Sequence, residues 1–274
     1  KPLQYGYVHD RDVLMGKMVW EIIDLDERIN FPLYFPVDTA NIGKDRRSLF
    51  DVLIKEIKSG RITEVYYDDY FNSKNSNIEG LNSVRNRWGI SSNNFLILLP
   101  GRLTFWKGQF LFLNTLLFLK QENLLNNISA IILGDDQGRT EYREYLLDFI
   151  REHRLEENVK IISHESFMPS AYNACDLVLS ASIEPEAFGR VAVEAQAMEK
   201  PILASNIGGS NETIIDGQTG WLFKSDDEKD LAKMIIEISK KDKIFLKNLG
   251  AKGRANVIDN YTVDQMCSKT LEIY

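Results

Sequence analysis

Between residues 95 and 223, short apolar runs alternate with longer helix-favouring stretches, and this alternation constrains the fold more than any other feature. "NFLILLPG", "SAIILG", "VKIIS", "DLVLSAS", "PILAS" and "GWLF" each read as a strand that is hydrophobic on both faces. Strands of that kind belong in a parallel sheet covered by helices on both sides. "KGQFLFLNTLLFLKQ", "TEYREYLLDFIREH", a short "SAYNAC", residues 189–198, "SNETII" and residues 228–239 read as helices. Strand–helix alternation with short loops predicts a doubly wound, Rossmann-like α/β domain. Residues 243–274 read as helical, with breaks expected near Gly250 and Gly253.

Residues 1–80 do not continue the rhythm and are read as a small α+β module. They offer a helix "VWEIIDLDERI", a proline-punctuated "NFPLYFPVD", a helix "SLFDVLIKEIKSG" closed by Gly60, and a short strand "TEVYYD". The polar "NSKNSN" then reads as a linker, so the boundary is expected within residues 72–82, giving domains 1–80 and 81–274. In the first segment, "DLD" at residues 24–26 reads as a solvated helix face, and His9 as a surface residue with no second His or Cys nearby.

Composition removes several function classes. A net charge of -7 argues against non-specific nucleic-acid binding and against an anionic membrane surface. No apolar run reaches the roughly 18 residues of a membrane span. The opening "KPLQYGYVHDRD" lacks the apolar core of a secretory signal, as a chain whose signal had been removed also would. Cys175 and Cys267 are too few for a disulfide framework, and Cys175 is expected as a small buried hydrophobe.

In open α/β sheets ligands bind beyond the carboxyl ends of the strands, where helix N-termini present free N–H groups. Three segments carry suitable chemistry at that edge. "PGRLTFWKG" sets Arg102 and Lys107 beside a helix start, an arrangement suited to a diphosphate, although both fit a solvated loop as well. "LGDDQGR" ends a strand at Gly134, where the missing side chain would let a ligand approach the backbone. Asp135 and Asp136 read as caps of the next helix. In "EPEAFGRVAVEA", Gly189 turns the chain into a helix whose first N–H groups suit phosphate or sugar oxygens. Glu186 precedes that helix, and Glu194 lies about 7 Å along its axis at 1.5 Å per residue. Ionised carboxylates only accept hydrogen bonds, so both suit polyols: a sugar and a ribose. The competing reading of Glu194 is a pair with a lysine or arginine across a helix interface.

"GRLTFWKG", the strand ending in Gly134, "EPEAFGRVAVEA" and "NIGGSNETIIDGQTGWLF" occur in an order and spacing that resemble the C-terminal half of family 4 glycosyltransferases of the GT-B fold. The resemblance covers residues 83–270. It implies that Arg102 and Lys107 hold the diphosphate of a nucleotide-diphosphate sugar and that Glu186 contacts its sugar. It further implies that Phe188, Gly189, Arg190 and Val191 meet sugar and phosphates, that Glu194 binds the ribose, and that Glu212 is structural. Arg190 departs from the more usual aliphatic residue after Phe-Gly, although an arginine there resembles a known subgroup. The family implies retaining transfer with no metal or other cofactor required. It also implies a facing acceptor-binding domain that needs roughly 150 residues, which the first segment cannot supply.

"VWEIIDLDERINFPLYFP", "RRSLFDVL" and "GRITEVY" resemble GldN/PorN of the type IX secretion and gliding machinery. That resemblance implies a periplasmic module partnered by a GldK/PorK lipoprotein, whereas the second implies a cytoplasmic enzyme part. Together they lead to the expectation of a chimera: a GldN-like fragment carried by a donor-binding domain without assignable catalytic residues and with little or no transfer. The alternative is a natural retaining glycosyltransferase whose acceptor site lies on a separate chain.

Overall fold

A computed structural model of the chain describes residues 71–72, 81–138, 140–165, 167–262 and 265. All lie in the second of two compact units, which begins at Tyr66. The readings made for residues 1–70, "DLD" and His9 included, lie outside the described residues, as does most of the 72–82 boundary.

The elements are α1 (Leu81–Arg87), β1 (Phe95–Pro100), α2 (Gln109–Gln121), β2 (Ile128–Leu133), α3 (Thr140–Glu152), β3 (Val159–Ile162), α4 (Met168–Ala174) and β4 (Leu177–Ser180). They continue as α5 (Arg190–Ala197), β5 (Ile202–Ser205), α6 (Ser210–Thr213), β6 (Trp221–Phe223), α7 (Glu228–Ser239) and α8 (Lys243–Asn260). The strands form one parallel sheet in the order β3-β2-β1-β4-β5-β6. This is the doubly wound α/β fold expected from the strand pattern.

Alternation along β1 shows why both faces had to be apolar. Ile97 and Leu99 enter a core with Phe112 and Leu116 of α2, Leu146 of α3 and Ile235 of α7. Leu96 and Leu98 enter the opposite core with Tyr172 of α4, Val193 of α5 and Val257 of α8. After β3 the chain returns to the other side of β1, where Leu98 aligns with Val178 of β4. The loops after β1 and β4 therefore diverge from neighbouring strands, creating the crevice where such sheets bind ligands.

Two features depart from the sequence expectations. Helix α1 was not anticipated: Arg85 anchors it by donating from Nε to Ala174 O at 2.7 Å and pairing with Asp176 at 2.7 Å. Helix α8, in turn, runs unbroken through Gly250 and Gly253. A Cβ at Gly250 would stand 2.0 Å from Glu199 O, and one at Gly253 would stand 3.0 Å from Gln196 Cγ. These glycines give up some helix propensity so that α8 can lie against the end of α5. Buried Gln196 completes the joint, donating to Thr213 O at 2.9 Å and accepting from Asn256 Nδ2 at 3.0 Å. No helix among the described residues is long and apolar enough to cross a membrane.

Candidate functional site

The two loops that diverge at the crevice are stitched together. Ile183 N donates to Trp106 O at 2.8 Å, and Lys107 Nζ lies 2.8 Å from Glu186 Oε1. Ser182 Oγ donates to the same carboxylate oxygen, and the Lys107 ammonium sits 4.5 Å from the centre of the Trp106 ring. Lys107 and Glu186 each keep only 14% of their side-chain surface exposed, so the pair is held more tightly than a surface salt bridge. Arg102 lies on the outer part of the same loop, exposed, with Nη1 at 3.5 Å from Gln137 Oε1.

The entry to α5 borders this pair. Gly189 adopts φ +72°, a left-handed conformation that suits glycine, and no side chain caps the helix start. The loop in front is fixed from below, where Gly209 N donates to Glu186 O at 2.7 Å. Phe188 meets the edge of Tyr261 with ring centres 5.9 Å apart, and Val191 packs against the second core. Arg190 projects outward with 52% of its side chain exposed.

Glu194 is the most enclosed carboxylate of the group. Its Oε1 lies 3.0 Å from Arg190 Nε, one helical turn earlier, and its Oε2 accepts from the Tyr172 hydroxyl at 2.5 Å. The anticipated partner across a helix interface is therefore an arginine on the same helix plus a tyrosine from α4. Burial, reinforced by the Glu194 charge, pushes the Tyr172 hydroxyl well above its ordinary pKa and keeps it a donor. Donation from Arg190 and Tyr172 offsets the cost of burying a glutamate in an otherwise apolar stretch of α5.

Other expectations need correction. At Gly134 a Cβ would lie 1.9 Å from Gly101 O, so the missing side chain already serves the close passage of the ends of β1 and β2. Asp135 and Asp136 do not cap α3. Their carboxylates accept from Gln137 N at 3.1 Å and Gly138 N at 2.8 Å, shaping the loop before it. Glu212 engages through its backbone, its carbonyl accepting from Tyr261 Oη at 2.6 Å. Cys175 is buried as expected, and burial pushes its thiol up to about 12.

The structure thus brings together Lys107, Glu186, Phe188, Gly189, Arg190 and Val191, with Glu194 behind them and Arg102 at the outer rim. Sequence reasoning missed Trp106, Ser182 and Tyr172. Ser182 alone left a local signal, a hydroxyl four residues before Glu186.

A doubly wound parallel sheet with the Lys107–Glu186 pair at its switch point defines an open, Rossmann-like α/β domain. Its family follows from sequence: residues 82–256 match "Glycosyl transferases group 1", and the chain belongs to that family. It is 26% identical over 173 residues to the capsular polysaccharide biosynthesis glycosyltransferase CapM of Staphylococcus aureus, covering 62% of this chain and 43% of that protein. It is 32% identical over 144 residues to the lipopolysaccharide 1,2-N-acetylglucosaminetransferase of Salmonella typhimurium, covering 51% and 37%. A glycosyltransferase from Rickettsia africae superposes with a TM-score of 0.70 at 33% identity, covering 76% of this chain and 54% of that one. Alr3699/HepE of Anabaena, solved in complex with UDP and glucose, superposes with a TM-score of 0.63 at 30% identity, covering 70% and 51%. The chain therefore spans about half, or less, of the length of these relatives.

Proposed function

We propose that residues 81–274 form the donor half of a retaining glycosyltransferase and bind a nucleotide-diphosphate sugar in the crevice between the loops after β1 and β4. The carrying observation is the Lys107–Glu186 pair, which sets a cation and a carboxylate side by side beside an uncapped helix N-terminus. The ligand offers a matching exchange. Its phosphates take up Lys107 and Arg102, and its sugar hydroxyls donate to Glu186 in place of the ammonium. The amides near Phe188, Gly189, Arg190 and Val191 face the phosphates and sugar, and Glu194 receives the ribose. Two cations and the helix end supply the positive charge that the departing diphosphate needs, so this reading calls for no metal. HepE, solved with UDP-glucose as well as with UDP, supports the choice of ligand class.

The described residues form one wall of a site. Transfer needs a facing wall that excludes water and orients an acceptor, and we assign it to a separate acceptor-binding chain. The family match favours this enzyme reading over that of an inactive carrier. The GldN-like motifs of residues 1–80, the GldK/PorK-like lipoprotein partner and the periplasmic address form a separate proposal supported by sequence resemblance alone.

Calorimetric titration of the full chain with UDP, GDP and their glucose and N-acetylglucosamine conjugates tests the donor reading. We expect saturable binding that weakens at least about tenfold in Glu186→Ala for the sugar conjugates. Binding of none of these ligands would overturn it.

A further inference from the structure

We propose that Ser182 is the positioning residue for Glu186: its hydroxyl holds Oε1, so that Oε2 is the oxygen offered to a hydroxyl of the donor sugar. The proposal rests on reading Glu186 as the sugar contact. It adds the group that keeps the carboxylate aimed while Lys107 changes partner.

Ser182 follows β4, is only 4% exposed, and donates through Oγ to Glu186 Oε1. The Lys107 ammonium lies 2.8 Å from the same oxygen. No hydrogen bond from the described residues reaches Oε2. Two donors on one oxygen leave the other to accept from a ligand.

The two donors differ in how far they can move. Lysine carries its ammonium on a long flexible stem, so Nζ can turn to a phosphate while its backbone stays in place. The serine hydroxyl sits one bond beyond Cβ, and the chain beside it is fixed where Ile183 N donates to Trp106 O at 2.8 Å. It therefore remains at Oε1 when the ammonium leaves. The backbone of Glu186 is held as well, its carbonyl accepting from Gly209 N at 2.7 Å. What is left to fix is the side chain, whose last torsion is broad and would otherwise present the oxygens in many directions. A bond from Ser182 removes that freedom before the sugar arrives.

The test measures by calorimetry, on the full chain, how the affinity of UDP-glucose compares with that of UDP, with GDP-glucose and GDP alongside. Glu186→Ala should lower the ratio of conjugate to nucleotide affinity about tenfold or more. Ser182→Ala should lower it about threefold or more, while the nucleotide alone changes by less than about twofold. Ser182→Cys, whose thiol is a weaker donor, makes the same prediction should Ser182→Ala unfold. In a Glu186→Ala background, Ser182→Ala should lower the ratio no further. A further drop in that background would overturn the proposal. Equal weakening of conjugate and nucleotide by Ser182→Ala would make Ser182 a packing residue and overturn it too. An unchanged ratio in Ser182→Ala, alongside a lowered one in Glu186→Ala, would overturn it while leaving the sugar reading intact. An unchanged ratio in Glu186→Ala, or a wild type that binds none of these ligands, would overturn the sugar reading and this proposal with it.

Discussion

Glu186 and Glu194 lie eight residues apart, and the structure treats them in opposite ways. Glu186 sits in a loop, and its charge is met by Lys107 from a loop 79 residues away in sequence. Glu194 sits in a helix wedged by α8, with one partner a turn away and another sealed in the core. The first carboxylate is tied to a part that a ligand can pull aside, whereas the second is built into the frame. Affinity for the sugar end should therefore depend on a pair that must open, and affinity for the ribose end on a group already in place.

The largest expected effect breaks the frame. Gly250→Val drives side-chain atoms into the Glu199 carbonyl, which a Cβ alone would approach to 2.0 Å. A stability loss of about 3 kcal/mol or more should follow, read as a lowered thermal midpoint. A variant as stable as the wild type would mean that α8 does not lie as close to α5 as described.

Removing the movable pair should cost less. Lys107→Met strips Glu186 of its cation and leaves only the Ser182 hydroxyl, at a cost of about 1–3 kcal/mol in urea unfolding. Adding Glu186→Gln should recover part of that loss, because the orphaned charge is gone. Simple additivity of the two changes would show that the pair carries no coupling. The smallest effect belongs to the exposed partner of Glu194. Arg190→Gln removes the half-exposed guanidinium 3.0 Å from Glu194 Oε1 and should lower stability by less than Lys107→Met does in the same urea unfolding. A loss larger than that of Lys107→Met would contradict that order.

The same contrast explains what the sequence made legible. The strands were readable because a parallel sheet covered on both faces leaves both faces apolar, as the split of β1 between two cores shows. The residues around the crevice were readable because loops at the carboxyl edge follow directly from the strand pattern. Partnerships were not. Lys107 with Glu186 and Tyr172 with Glu194 join distant segments and leave no periodic trace. Glycines misled for a related reason. Local propensity makes Gly250 and Gly253 breaks, yet both, like Gly134, are close tertiary approaches that become visible only once the neighbouring backbone is in place. The short α1 escaped because its signal is an arginine that finds its partners in α4 and at the start of β4.

The central claim is that the crevice between the loops after β1 and β4 receives a nucleotide-diphosphate sugar. Hydrogen–deuterium exchange on the full chain, with and without saturating UDP-glucose, tests it most directly. The account predicts slowed exchange concentrated in residues 101–108 and 182–194, with little change on the far side of the sheet in α7. Protection confined to segments away from both loops, or no protection by UDP-glucose or GDP-glucose, would contradict it.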